Sequence, residues 1–391
     1  MLCALARQPP IPSDAHPDET LFSSEQKTDT SSAREIDVFL RRWAPSSGSH
    51  PYLSGMACSS ARLTKDESAY FGDGHGRVYA SRSGDGGKPT VLHTHGAAIL
   101  CLLEADLVAS GRVGLVIGDA SGKVSYFFDG QLLLEHRLPL AITALALHRS
   151  GDRPAVVAAD ASGVIVLLAV DATIWRVRLQ DARLLRANAP FASDLVSVAV
   201  GGAPCLVAAA GGTALVTLGS YGEILVWHAP GCISALATFE SESCESCEDV
   251  CEDRRLLIAV DGQLHTAAAT TAAAAGACSP FCQIGVHATQ LQAQPCCGEL
   301  LVACCGHFNG VLLVSRRGIL QHVSPLSGWP LAIRVHTAPD GPAWAPSPQS
   351  TQTGHVKTLH GTIQVTIATS DGCVVEQRVE LASGIVSGVP T

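Results

Sequence analysis

The segment GDASGK at positions 118–123 contains the residue types that phosphate-binding loops and serine nucleophiles use. A Walker A loop requires G-x-x-x-x-G-K-[ST] between a strand and a helix. Here Ile117 occupies the position of the first glycine, Val124 occupies that of the hydroxyl residue, and a strand-like run follows. A nucleophile elbow requires serine two residues after glycine, whereas Ser121 directly precedes Gly122. The segment therefore predicts a hairpin turn in which Gly122 supplies a positive φ.

A second group of residues with possible chemistry is an acidic, cysteine-rich segment. Three of its cysteines have C-x2-C-x3-C spacing: Cys244, Cys247 and Cys251. Thiolates at this spacing could hold zinc or an iron–sulfur cluster if Cys232 or Cys278 supplied a fourth ligand. The surrounding acidic residues raise thiol pKa values and so oppose the thiolate that a metal needs. We favour a solvated acidic insertion over a metal site, and the metal site stays open as the alternative.

Histidines and tryptophans give weaker signals. No Asp or Glu at suitable spacing completes a metal triad around His75, His93 and His95, so we expect turn or surface histidines. Trp344 lies in a proline-rich segment that we predict to be a disordered loop. The alternative is that Trp344 anchors a partner protein.

Composition excludes several classes of function. The chain has 391 residues and a formal net charge of -9, without a long Lys/Arg cluster, which argues against nucleic acid as a partner. No apolar run approaches the length of a membrane span. The 15 cysteines are odd in number and include adjacent pairs, which favours reduced thiols and a cytoplasmic location. Residues 1–50 are rich in Pro, Ser and acidic residues and are predicted to form a disordered tail.

From residue 51 to 391 one pattern recurs seven times: a short β-branched or alanine-rich run, a polar turn with glycine, and a second β-branched run. The predicted turn glycines are Gly76, Gly122, Gly163, Gly212, Gly262, Gly310 and Gly372. They recur at roughly 40 to 60 residues, close to the length of one propeller blade. The pattern predicts an all-β fold, a seven-bladed β-propeller, with insertions at about 239–255 and 338–361. Two stacked β-sandwiches are the alternative architecture.

Residues 97–170 resemble the FG-GAP family of propeller repeats. The resemblance rests on GLVIGDASGKVSYF and ITALALHRSGDRPAVVAADASGVIVLL, while GEILVWHAP at 222–230 also suits a WD40 blade, with His228 in place of the usual Asp. The D-x-D-x-D-G calcium loop of integrin-type blades is missing, so we expect no calcium. The resemblance implies a subunit of a KICSTOR-like complex, which in relatives supports nutrient-sensitive control of the TORC1 kinase at the lysosomal surface.

These observations favour a non-catalytic scaffold that binds other protein subunits, without cofactor, nucleic acid or membrane insertion. Two alternatives stay open. One is a propeller enzyme, a hydrolase or quinone-type dehydrogenase, whose acid, base and metal residues would have to converge at the central channel. The other is a coat subunit of ciliary transport.

Overall fold

The computed structural model describes most of the chain after residue 49. The described residues are 50–51, 58–63, 68–82, 90–150, 153–179, 191–200, 203–210, 212–218, 224–240, 254–268, 278–296, 299–316, 318–323, 326, 328–337 and 360–382. By contacts the chain divides into Met1–Ile36 and Asp37–Thr391, and every described residue belongs to the second unit. No helix within this described part is long and apolar enough to cross a membrane.

The described strands form seven four-stranded antiparallel sheets. A two-residue strand, β1 (His50–Pro51), precedes them. Sheet 1 contains β2 (Cys58–Leu63), β3 (Ser68–Asp73), β4 (Arg77–Arg82) and β5 (Thr90–Thr94). Sheet 2 contains β6 (Ile99–Ala105), β7 (Gly114–Asp119), β8 (Lys123–Phe128) and β9 (Gln131–Arg137). Sheet 3 contains β10 (Ile142–Ser150), β11 (Arg153–Asp160), β12 (Val164–Leu168) and β13 (Thr173–Arg178).

The remaining four sheets follow in chain order. Sheet 4 contains β14 (Ala192–Val200), β15 (Ala203–Ala210), β16 (Ala214–Leu218) and β17 (Ile224–His228). Sheet 5 contains β18 (Ile233–Glu240), β19 (Arg254–Val260), β20 (Gln263–Ala268) and β21 (Ser279–Gln283). Sheet 6 contains β22 (Ala288–Cys296), β23 (Glu299–Gly306), β24 (Phe308–Ser315) and β25 (Gly318–Val323). Sheet 7 contains β26 (Pro330–Thr337), β27 (His360–Thr369) and β28 (Cys373–Ala382), with β1 as its fourth strand.

The sheets are arranged in a closed ring. The first strand of each sheet contacts the first strand of the next, and β26 of sheet 7 contacts β2 of sheet 1. Closure also uses β1, which pairs with Val374 and Cys373 of β28 at the chain's other end. The all-β and β-propeller predictions are confirmed, and two stacked sandwiches are excluded by the ring.

The hydrophobic core is divided among the contacts between neighbouring sheets. Seven buried clusters occur in the described residues, and each joins one sheet to the next. The strand β12, VIVLL, is buried at every position because sheets on both sides cover it. The outermost strand β13 of the same sheet alternates between exposed and half-buried positions. Small alanines in the inner strands allow the sheets to approach closely near the axis.

The predicted glycine turns fall in the hairpins between the second and third strands, with one exception. Six of the seven glycines have positive φ: Gly76, Gly122, Gly163, Gly212, Gly262 and Gly372. The turn assigned to Gly310 is wrong, because Gly310 lies inside β24 and the connection is the shorter one at His307. Gly306, which pairs with Phe308 across that turn, is the glycine needed there: a Cβ on it would meet the backbone nitrogen of Thr289 at 2.6 Å.

The predicted segment boundaries are corrected by a few residues. The first strand begins at His50, one residue inside the predicted tail, and the rest of that tail lies outside the described residues. Phe239 and Glu240 belong to β18, and Arg254 and Arg255 belong to β19. His360 and Gly361 belong to β27. The two insertions therefore lie in the chain between the first and second strands of sheets 5 and 7, and the rest of each lies outside the described residues.

Candidate functional site

The seven first strands surround a central channel of about 670 Å³. Every sheet contributes residues to its wall because the first strand of each sheet is innermost. One level of the wall is an aliphatic belt with one residue from each sheet. Its members are Ala61, Leu102, Leu145, Leu195, Leu236, Leu291 and Ile333. Volumes of roughly 300 to 1,000 Å³ are typical of small-molecule sites, so the channel is the candidate functional site.

Polar side chains on the first strands bond to the backbone of the next first strand around the ring. The bonds are Ser60 Oγ to the Ile99 carbonyl (3.2 Å), Cys101 Sγ to the Ile142 carbonyl (3.8 Å), Thr143 Oγ1 to the Ala192 carbonyl (2.7 Å) and Gln290 Nε2 to the Leu331 carbonyl (2.5 Å). Innermost strands have one edge without a strand partner, so these side chains satisfy backbone groups that would otherwise lack a bond. Most uncharged polar residues of the channel thus have a structural role.

Charged residues cluster on one side of the channel. Arg62 on β2 and Arg334 on β26 occupy equivalent positions, each two residues after the bulge of its strand. Arg62 is exposed, yet desolvation by the surrounding wall lowers its pKa; Glu104 on the neighbouring strand β6 opposes this effect, and Arg334 adds to it. The two guanidinium groups and the Glu104 carboxylate therefore form one electrostatic group in the wall.

Asp194 on β14 is a further charged residue of the channel wall, in addition to Arg62, Arg334 and Glu104. Its Oδ1 accepts the backbone N–H of Leu195 and its Oδ2 accepts that of Leu236, both at 2.8 Å. Burial raises the pKa of Asp194 to about 6, although both hydrogen bonds oppose the rise. Asp194 is therefore a carboxyl group that changes charge in weakly acidic solution.

We expect Asp194 to make the protein less stable as the pH rises from about 4 to 6. The folded state binds the Asp194 proton more tightly than the unfolded chain does. The stabilisation that results is complete below the ordinary pKa of 3.8, and it is lost as the pH rises through the folded-state pKa of about 6. The loss is at most about 3 kcal/mol, since one pKa unit corresponds to about 1.4 kcal/mol. Chemical denaturation of the wild type and Asp194→Asn at several pH values measures it.

Asp106→Asn provides the matched control for this prediction. Asp106 accepts backbone N–H groups of Ser110 and Gly111, and these bonds lower its pKa although burial alone would raise it. Asp106 should therefore stabilise the folded protein more as the pH rises, which is the opposite of the effect expected for Asp194. Identical pH profiles for the wild type and Asp194→Asn would contradict the role given to Asp194.

The GDASGK segment is the hairpin turn between β7 and β8. Asp119 Oδ1 accepts the backbone N–H groups of Ser121 (2.8 Å) and Lys123 (2.9 Å) and the hydroxyl of Ser121 (2.7 Å). Asp73 and Asp160 accept the equivalent backbone N–H groups in the turns of sheets 1 and 3. The aspartate, serine and glycine of this segment are thus turn-forming residues, as the hairpin interpretation of the segment expects.

His95 differs from the surface or turn histidine that the sequence suggests. It is buried, and its Nδ1 lies 3.2 Å from Asp119 Oδ2, so it links the connection after β5 to the turn of the next sheet. Burial lowers the pKa of His95, although Asp119 opposes the shift, and the neutral ring donates from Nδ1 to the carboxylate. His93 is half-buried and its ring packs 4.0 Å from that of Phe127, while His75 is exposed. Nothing in the sequence spacing connects His95 with Asp119.

The predicted cysteine and tryptophan sites are mostly untested by the structure. Cys244, Cys247, Cys251 and Trp344 lie outside the described residues. Cys232 is exposed and Cys278 is half-buried, and both have free thiols. Among the described residues, no group of three His, Cys, Asp or Glu side chains is arranged to hold a metal ion.

A set of exposed apolar residues was missed by sequence analysis. In antiparallel sheets of this order, the turns between second and third strands and the connections between sheets lie on one face, which we call the turn face. Among the described residues of these connections, three large apolar side chains are exposed: Leu140 (50%), Phe191 (38%) and Trp329 (56%). The signal that could have found them is their position one or two residues before an innermost strand.

Comparison with known proteins shows the fold. No protein-family model matches the chain, and no curated protein matches it by sequence. Saccharomyces cerevisiae Sqt1 is similar in structure, with a TM-score of 0.55, 13% identity and 84% of each chain covered. BBS1N in complex with ARL6DN has a TM-score of 0.52 and 12% identity, covering 85% of this chain and 94% of that chain. A chain of the Mitotic Checkpoint Complex has a TM-score of 0.50 and 15% identity, covering 94% of this chain and 99% of that chain.

The comparisons therefore agree with the β-propeller fold that the ring of seven sheets defines. The FG-GAP resemblance of residues 97–170 stays a prediction.

Proposed function

We propose that this protein is a non-catalytic scaffold whose seven sheets act as the blades of one rigid propeller and whose turn face binds other proteins. The observation that carries the proposal is the exposure of Trp329, Phe191 and Leu140 on that face. Tryptophan is enriched among the few residues that dominate binding energy in protein interfaces. Two of the similar solved structures, those of BBS1N and of the Mitotic Checkpoint Complex, are also structures of complexes.

The backbone around these residues is held in place, which favours binding by a preformed surface. The Trp329 N–H donates to Ser370 Oγ (3.0 Å) and the Trp329 carbonyl accepts the Ser370 N–H (2.8 Å). The Leu140 N–H donates to Asp160 Oδ2 (3.1 Å) in the turn of sheet 3. Preorganised side chains lose less conformational entropy on binding, so a partner gains more from the same contact.

Replacing Trp329 by alanine is expected to weaken partner binding by at least about tenfold, the effect of losing a tryptophan at the centre of an interface. Affinity purification of the wild type and Trp329→Ala from the native cell, with quantitative mass spectrometry, measures it. Ile319→Ala is the matched control, because Ile319 is similarly exposed (51%) but lies on the outermost strand β25. Equal recovery of partners by wild type and Trp329→Ala would contradict the assignment of the turn face.

The finer proposal is a subunit of a KICSTOR-like complex in nutrient-sensitive TORC1 regulation, cytoplasmic and recruited to the lysosomal surface. Its support is the resemblance of residues 97–170 to FG-GAP repeats. The same purification tests it: TORC1 regulators among the partners would support it, whereas coat components would favour the ciliary-transport alternative. A chain that recovers no protein and turns over a small molecule would favour the enzyme alternative.

A further inference from the structure

The outermost strand of sheet 7 is much shorter than the strand beside it. β28 pairs with β27 at nine positions, from Val374 to Ala382. On its other edge β28 pairs with the two residues of β1. In each of the other six sheets the outermost strand pairs with its neighbour at four or more positions. Among the described residues, the outer edge of β28 from Val375 to Ala382 therefore has no strand partner.

The pairing of β1 indicates which backbone groups of β28 face this outer edge. In an antiparallel sheet, successive residues of a strand direct their N–H and C=O groups alternately to its two neighbours. The Cys373 carbonyl accepts the hydroxyl of Thr369 on β27, so Cys373 faces inward, and its other partner, Pro51, has no N–H to donate. Val374, which pairs with His50, therefore faces outward. The next outward amides follow at every second residue of β28: Glu376, Arg378 and Glu380.

The chain directly before β1 is well placed to cover this edge. An open edge is a template for pairing with another chain, and its N–H and C=O groups need partners. β1 runs antiparallel to β28, so the chain before His50 leads towards Ala382. The contact unit that contains the ring begins at Asp37, upstream of these residues. Because they are tethered to the edge through β1, they reach it without the entropy cost of associating with a second molecule.

We propose that the segment Trp43–Ser49 extends β1 into a full outermost strand of sheet 7, antiparallel to β28. Continuing the observed register places Ser49 opposite Val375 and Trp43 opposite Leu381. The seven residues of the segment thus span nearly the whole edge. This pairing is separate from the turn face, so its failure would leave the proposed protein binding intact.

The prolines of the sequence fit this strand. Pro45 lies six residues before Pro51, and an even spacing gives both residues the same orientation in a strand. Pro45 therefore directs its nitrogen to the solvent side, where no hydrogen bond of the sheet is lost. The positions whose N–H groups donate to β28 in this register are Ala44, Ser46 and Gly48, and none of them is a proline.

Amide hydrogen exchange of the full-length protein, followed by NMR, tests the pairing. The three outward amides of β28 should exchange as slowly as those of Gln377 and Val379, which face β27. In a variant lacking residues 1–48, only the outward amides should exchange faster, by at least about tenfold, because each loses its acceptor. A variant lacking residues 1–36 is the control and should keep the full protection.

Two results of this experiment would overturn the proposal. One is fast exchange of the outward amides in the full-length chain, or equal protection of them in both deletion variants. The other is protection that disappears on dilution, which would assign the added strand to a second copy of the chain.

A matched pair of proline variants tests the register without shortening the chain. Ser46→Pro removes an N–H that donates to β28, and its ring pushes the two strands apart, so exchange of the Arg378 amide should rise by at least about tenfold. Ser47→Pro is the control, because position 47 has the orientation of Pro45 and Pro51 and its N–H faces solvent. Equal exchange of the Arg378 amide in the two variants would show that the segment does not pair in this register.

Discussion

Replacing Asp119 by alanine is expected to lower the free energy of unfolding by about 3 kcal/mol, because a buried carboxylate with several hydrogen bonds would be lost. Asp119 accepts bonds from the Ser121 and Lys123 backbone, the Ser121 hydroxyl and His95. Although burial alone would raise the pKa of Asp119, these bonds lower it below the ordinary value, so the group is charged at neutral pH. Without it, several buried donors lose their acceptor.

Urea denaturation of the wild type and Asp119→Ala measures this loss. Asp171→Ala is the control, since Asp171 is exposed and its replacement should change stability by less than about 0.5 kcal/mol. A loss for Asp119→Ala no larger than that for Asp171→Ala would show that the carboxylate does not hold the turn. It would then reopen the question of what the GDASGK segment does.

Replacing Gly122 by alanine should also destabilise the protein by about 3 kcal/mol, for two separate reasons. The φ of Gly122 is 87°, which side chains other than glycine rarely adopt. A Cβ at Gly122 would also collide with the carbonyl oxygen of Leu138 and lie 2.6 Å from that of Leu140, both backbone atoms that cannot rotate away. Thermal and urea denaturation measure the effect.

Gly130→Ala separates the two causes. Gly130 has a similar φ of 76°, but no atom lies within 4 Å of the position that a Cβ on it would occupy. Only the conformational cost of about 1 kcal/mol is therefore expected for Gly130→Ala. If Gly122→Ala and Gly130→Ala lowered the free energy of unfolding equally, the close contact between the Gly122 turn and the connection after β9 would contribute nothing to the loss of stability.

The sequence predicted much of the fold because the strand signal is local. Each repeated hairpin in the sequence is the pair of middle strands of a different sheet, and the glycine at position 122 has the positive φ that its turn requires. The prediction failed at Gly310 because the segment GHFNG contains two glycines, Gly306 and Gly310. Local sequence does not show that Gly310 lies inside a strand and that Gly306 is the glycine that approaches neighbouring backbone closely.

The candidate site could be predicted only in part. Arg62, Glu104 and Asp194 are charged residues within otherwise apolar or small-residue strands, a signal available in the sequence that sequence analysis did not use. That Arg62 and Arg334 come from opposite ends of the chain and lie at one level of the channel depends on ring closure and on the bulge in each innermost strand.

By itself, the sequence determined the all-β class and the hairpin repeats. The signals for them, short alanine-rich or β-branched runs separated by glycine turns, are each contained within a few neighbouring residues. Tertiary structure alone decided that His95 meets Asp119, that Trp329 is exposed beside Ser370, and that two arginines share a channel wall. These contacts join residues of different sheets, and their distances are fixed by how the sheets pack around one axis.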